Sequence, residues 1–188
     1  MHYFVPLIQK TLTRLFFITA LTVSSWFPSA LAGIKVLDVE LGVSTIEQVR
    51  QQATENGSFR NVGTNSWSQG PSIEVPASNY QIQGLQSVLY IFNPDQKLVG
   101  LQMKMDKARF DAIFEVLAGK YKLVRKVRPF VGNNYAKFTV PNSTIEIDAP
   151  HMGVDMQVRY MTNGFAKAWQ DGVRAQDQQK MNTDKSSF

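Results

Sequence analysis

The chain has no cysteine and only two histidines among its 188 residues. The first absence excludes disulfides, thiolate metal sites, iron–sulfur clusters, cysteine nucleophiles and lipid attachment through cysteine. The second leaves little room for a histidine-based metal site, and neither a metal nor another cofactor is expected. The G-x-S-x-G turn that exposes a nucleophilic serine is also missing. Charge is sparse too: charged residues make up 19% of the chain against 44% hydrophobic ones. That balance excludes a disordered polyelectrolyte and predicts a folded chain of one domain, or two small ones. The formal net charge is +5.

No apolar run is long and clean enough to read plainly as a membrane span. Leu15 to Leu31 comes nearest, but Pro28 and three serines interrupt it. The segment has a different pattern. Lys10 and Arg14 open it without an acid, Leu15 to Val23 is uncharged, and Ala30-Leu31-Ala32 closes it before Gly33. A basic start, a short apolar middle and an A-x-A end are the three parts of a secretory signal peptide. Residues 1–32 are therefore expected to be a leader cut between Ala32 and Gly33, which places the mature chain in the periplasm or outside the cell. The missing cysteine excludes a lipoprotein leader. The alternative is an uncleaved segment, making the protein a membrane-anchored envelope accessory factor. Cleavage removes two cations and His2, leaving a net charge of +3 and His151 alone.

The mature chain alternates between strand and helix patterns. Ile34 to Leu41 sets Leu37, Val39 and Leu41 against Asp38 and Glu40, which predicts a half-buried strand. Ser44-Thr45-Ile46-Glu47 has the form of a capping box with Ser44 as cap, and Ile46, Val49 and Ala53 form the apolar stripe behind it. Two weak strands are expected over 59–76, turning at Ser68-Gln69-Gly70-Pro71. Leu85 to Phe92 and Lys97 to Met105 predict a hairpin across Asn93-Pro94-Asp95-Gln96, where Pro94 suits the second position of a type I turn.

Asp106 is placed to cap a second helix, whose stripe is Phe110, Ile113, Phe114, Leu117 and Tyr121. Further strands are expected over Leu123–Phe130, Tyr135–Val140, Thr144–Ala149 and Val154–Met161. Asn163 is the expected cap of a last helix carrying Phe165, Trp169 and Val173. This order lacks repeated βα crossovers. It predicts an α+β fold with an antiparallel sheet and helices packed on one face. The domain is expected to span 33–175, with 176–188 a polar C-terminal tail that frays.

Leu41-Gly42-Val43-Ser44-Thr45-Ile46-Glu47-Gln48-Val49 resembles the L-G-x-S/T-x-x-E/Q-V start of small exported modules, the SmpA/OmlA assembly lipoproteins and β-lactamase-inhibitor-like proteins. The resemblance implies helices on an antiparallel sheet and a non-enzymatic protein-binding role. It also implies that a second, degenerate unit can cover 106–161, where a helix again precedes strands.

Three groups of residues could carry chemistry. His151, in the turn Asp148-Ala149-Pro150-His151-Met152-Gly153, could serve a small exported hydrolase if Asp148 or Asp155 orients it toward a serine. Glu146 with Asp148, and Asp38 with Glu40, are carboxylates two apart on strands; alternation with apolar residues reads as a solvated face rather than as a metal or acid–base pair. Lys120, Lys122, Arg125, Lys126 and Arg128 are five cations without an intervening acid. They read as a contact surface for an anionic partner, or as an edge strand protected against aggregation. In strand alternation Lys122, Val124, Lys126 and Arg128 share one side, with Arg125 and Val127 on the other. Trp67, Tyr80 and Tyr90 could form an aromatic surface or close a small core.

The sequence therefore predicts an exported binding or accessory protein that assigns no residue to catalysis. Its expected partner is another envelope protein or an anionic surface. Nucleic acid is not expected, because an aromatic–basic RNA signature is missing.

Overall fold

The computed structural model describes residues 33–186. The expected leader, with Ala30 and Ala32, lies outside the described residues, and Gly33 is the first residue inside them.

The chain opens with a two-residue hairpin, β1 (Lys35–Val36) and β2 (Val39–Glu40), instead of the single strand expected over 34–41. Leu37 and Asp38 both take positive φ, 51° and 62°, which is the primed turn geometry that reverses a chain in two residues. Local alternation cannot show this, because neither residue is a glycine that would announce it.

The first helix, α1 (Ile46–Asn56), buries Ile46, Val49 and Ala53 as its stripe predicts. Its capping box is one residue later than expected. Thr45 Oγ1 accepts from the Gln48 N–H, and the Gln48 side chain accepts from the Thr45 N–H. Ser44 precedes the helix and does not cap it: its carbonyl accepts from the Leu98 N–H and its Oγ from the Glu40 N–H.

Four strands follow: β3 (Arg60–Thr64), β4 (Pro71–Pro76), β5 (Leu85–Phe92) and β6 (Leu98–Asp106). The expected turn separates β3 from β4, and Asn93–Gln96 separates β5 from β6. Asp106 caps as expected, accepting from the Ala108 N–H in a short 3₁₀ turn that leads into α2 (Phe110–Ala118). Four more strands come next: β7 (Lys122–Val127), β8 (Asn134–Val140), β9 (Ser143–Ala149) and β10 (Asp155–Thr162). The last element is α3 (Asn163–Ser186).

These eight long strands form one antiparallel sheet in the order β3-β4-β5-β6-β10-β9-β8-β7. A helix followed by four strands thus occurs twice, and the last strands of the two sets, β6 and β10, pair with each other. The fold is α+β. One hydrophobic cluster runs through both sets, from Ile73, Val88 and Tyr90 through Leu101 and Met103 to Phe138, Ile145, Ile147 and Val158, and takes in the stripes of α1 and α2. Each fully buried aliphatic or aromatic side chain there contributes roughly 1.5–3 kcal/mol of transfer free energy, which makes this layer the main stabilising element.

The third helix departs from the one-face arrangement. Strand parity places Ile91 and Met161 on the opposite face from Tyr90 and Tyr160. There they pack with Phe165 and Ala166 of α3, and with Trp67 and Trp169. Thr162 caps α3 by accepting from the Phe165 N–H; Asn163, the expected cap, instead accepts from the Thr144 hydroxyl. The expected fraying after Arg174 is also not observed: α3 stays helical through Ser186, with its last turns exposed.

Candidate functional site

The basic segment forms the β7 edge of the sheet. A bulge at Val124 breaks the simple alternation, because Leu123 pairs with Phe138 while Arg125 already pairs with Lys137. Lys122 and Arg125 therefore share the side opposite α1 and α2, and Lys126 turns with Leu123 toward the helices. Lys126 Nζ lies 3.5 Å from the centre of the Phe114 ring, a cation–π contact. Arg128 makes a two-pronged bond to Asp111 of α2, with its second prong at 2.7 Å. The five cations expected to act as one surface thus diverge. Lys120, Lys122 and Arg125 remain exposed without an ion pair among the described residues, and the other two are engaged within the fold.

The sheet face opposite α1 and α2 carries a row of side chains across all eight strands: Arg60, Glu74, Leu89, Gln102, Arg159, Glu146, Lys137 and Arg125. Most of its charges are paired internally. Arg60 bonds Glu74, Lys137 Nζ lies 3.1 Å from Glu146 Oε1, and Arg159 reaches Asp148 at 3.3 Å. Lys104 and Asp155 form a further pair at 3.0 Å. The Glu146–Asp148 pair is therefore not a freely solvated face: Glu146 is buried. Burial and the neighbouring Glu146 carboxylate push the Tyr135 phenol well above its usual range. Asp38 and Glu40 do not form a pair either, since Asp38 is in the hairpin turn and the Glu40 carboxylate accepts from the Gly33 N–H at 2.8 Å.

The three aromatic residues separate. Tyr90 is buried under the helices with its hydroxyl 2.7 Å from that of Tyr80. Trp67 lies on the other face against Trp169, ring centres 4.2 Å apart.

His151 is exposed, and its bonds explain why it is there. Its Nδ1 accepts from the Gly132 N–H at 3.3 Å, and its own N–H donates to Asn133 Oδ1 at 2.8 Å. Neither of its expected orienters reaches it: Asp148 bonds Arg159, and Asp155 bonds Gln86 and Lys104. No serine hydroxyl bonds it among the described residues. The geometry of a hydrolytic triad is therefore not assembled. Instead His151 ties the β7–β8 loop to the β9–β10 loop. Lys107 braces the second loop, donating from Nζ to the carbonyls of Pro150, His151 and Gly153, while its backbone N–H bonds the Val154 carbonyl.

This joined pair of loops displays four large apolar side chains to solvent: Phe130, Val131, Met152 and Val154. Phe130 is 104% exposed and Met152 92%, as much as in an open chain. Single exposed hydrophobics are ordinary, and four on two braced loops make this end of the sheet the candidate contact site. The pattern reading put Phe130 and Val154 in the flanking strands, whereas β7 ends at Val127 and β10 starts at Asp155; it gave Val131 and Met152 no role. The signal was present in Pro129, Gly132, Pro150 and Gly153, which break the strands around these residues.

Comparison of the chain with protein-family models, with curated proteins and with solved structures finds no match.

Proposed function

We propose that this protein is an exported, non-enzymatic binding protein that docks another envelope protein through Phe130, Val131, Met152 and Val154. The carrying observation is the braced loop pair: apolar side chains are held in the open by hydrogen bonds through His151 and Lys107. Such anchors stabilise a complex when a partner covers them, and bracing lowers the ordering entropy lost on binding. The leader pattern of residues 1–32 supports export to the periplasm or the outside, and the Leu41–Val49 resemblance supports a protein-binding role. A protein fits better than an anionic surface as partner. Lys126 and Arg128 are already engaged by Phe114 and Asp111, and the exposed remainder of the basic cluster, Lys120, Lys122 and Arg125, is on or before the edge strand rather than on the tip.

The test is photo-crosslinking in the producing cell, with the probe at position 130 or 152 and a control at Val62 on the far edge strand. A discrete protein adduct from the tip positions and none from Val62 supports the reading. Adducts from all three positions, or salt-sensitive binding to anionic vesicles that survives Phe130→Ala with Met152→Ala, overturns it.

A further inference from the structure

Gly33 is held as if its nitrogen mattered. Its N–H donates to Glu40 Oε1 at 2.8 Å, and the next residue closes the contact, the Ile34 carbonyl accepting from the Leu41 N–H at 3.1 Å. The approach requires glycine: a Cβ at position 33 would lie 2.2 Å from the Leu41 carbonyl oxygen and 3.0 Å from Glu40 Cγ. Glu40 is itself fixed. Its N–H donates to Ser44 Oγ at 2.9 Å, and its carbonyl accepts from the Val43 and Ser44 N–H groups. Among the described residues its carboxylate has no Lys or Arg within ion-pair distance, although Lys35 is its cross-strand neighbour. A half-buried carboxylate is thus aimed at one neutral backbone donor.

Hydrolysis of the Ala32–Gly33 bond changes what that donor is. Water adds across the amide under a signal peptidase, its oxygen going to the Ala32 carbonyl carbon and a proton to the Gly33 nitrogen. At neutral pH the released amine takes up a further proton and becomes an ammonium. We propose that Glu40 is the binding site for this new terminal ammonium, so that processing converts a neutral hydrogen bond into an ion pair and locks the first hairpin. The proposal rests on the export reading for the position of the cut. Charge-assisted hydrogen bonds are about twice as strong as neutral ones. No Lys or Arg among the described residues already occupies the Glu40 carboxylate with an ion pair. Lys35 faces Glu40 across the hairpin, Asp38 is in the turn, and Lys97 Nζ is bonded to the Val43 carbonyl. The adjoining cavity is lined by Leu41, Val43, Asn142, Ser143, Thr162 and Asn163, none of them charged.

Two measurements on the protein exported with its own leader test this separately. Intact mass reports the cut. A product starting at Gly33 is expected, and any other start overturns both the cleavage reading and the proposal. On the Gly33 product, thermal melts of wild type and Glu40→Gln at pH 6 and pH 9.5 report the ion pair. Glutamine keeps an acceptor oxygen, so the variant folds. Its melting temperature is expected to fall by about 3 °C at pH 6, from the shift that ~1 kcal/mol produces in a chain of this size. The gap is expected to close at pH 9.5, above the ordinary α-amino range of about 7.7–8.0. An equal gap at both pH values overturns the ion pair while leaving the cleavage site standing.

Discussion

Gly172 of α3 lies so close to the Trp67 indole that a Cβ at position 172 would sit 2.1 Å from its Nε1. Trp67 comes from the β3–β4 loop, so this contact, with the Trp67–Trp169 pair, seats α3 on the sheet. On a free helix surface Gly→Ala stabilises by about 1 kcal/mol. Here overpacking of about 1–3 kcal/mol opposes that gain. Gly172→Ala is expected to lower the melting temperature and change the tryptophan emission, as the tilted Trp67–Trp169 pair opens. A raised melting temperature would show that the contact does not hold α3.

Lys137 and Glu146 pair across β8 and β9, the lysine partly exposed and the glutamate side chain only 9% exposed. Removing the lysine alone leaves a buried carboxylate without its cation. Lys137→Met is expected to cost about 2 kcal/mol, and the double change Lys137→Met with Glu146→Met less than that, because no charge is then left unpaired. Urea denaturation of the two variants gives the comparison; a double variant no more stable than the single one contradicts the argument.

Burial pushes the phenols of Tyr90 and Tyr160 far above the usual tyrosine range, with Tyr80 adding to the effect at Tyr90 and Tyr121 at Tyr160. A group whose folded value is raised stabilises the fold below its unfolded value, near 10, and loses that contribution as the pH rises above it. Absorbance titration is expected to show these two tyrosines silent until the chain unfolds at strongly alkaline pH. Ionisation of all tyrosines in one reversible step near pH 10 would contradict this.

The Glu74 carboxyl is held below its ordinary 4.5 by hydrogen bonds from Arg60 and Ser87. Its contribution is present above pH 4.5 and is lost as the pH falls through the lowered folded value. Arg60→Met is therefore expected to reduce the difference in stability between pH 6 and pH 3. The pair is largely exposed, so the change is small, and high salt is expected to weaken it. A pH profile identical to wild type would remove Glu74 from the acid response.

Much of the architecture was legible from periodicity. The stripes of α1 and α2, the β5–β6 hairpin and the α+β class all follow from period-3.6 and period-2 patterns, which each segment carries within itself. The misreadings have two causes. The bulge at Val124 and the cap at Thr45 depend on which distant strand a residue pairs with, and the Leu37–Asp38 turn on a positive φ at two residues that are not glycine. Ser44, for example, has the right side chain to cap α1, but its hydroxyl accepts from Glu40 and its carbonyl from Leu98.

The candidate site was less legible. His151 stood out because it is the single histidine beyond residue 32, yet its role comes from Gly132 and Asn133, 19 and 18 residues away. Phe130 and Met152 carry no polar group that would mark them in a pattern; only the packed structure reveals that they stand in solvent.

The sequence alone determined the absence of cysteine chemistry, the leader-like first segment, and the alternation that yields helices on an antiparallel sheet. These are properties of composition and of near neighbours along the chain. Tertiary structure alone decided that β6 joins β10 to make one sheet from two helix-and-strand sets, that the basic segment is divided among separate partners, and that a carboxylate waits at Gly33. The first two outcomes depend on strand register, which packing between residues far apart in the chain sets, and the third on the close approach of Gly33 to the β1–β2 hairpin.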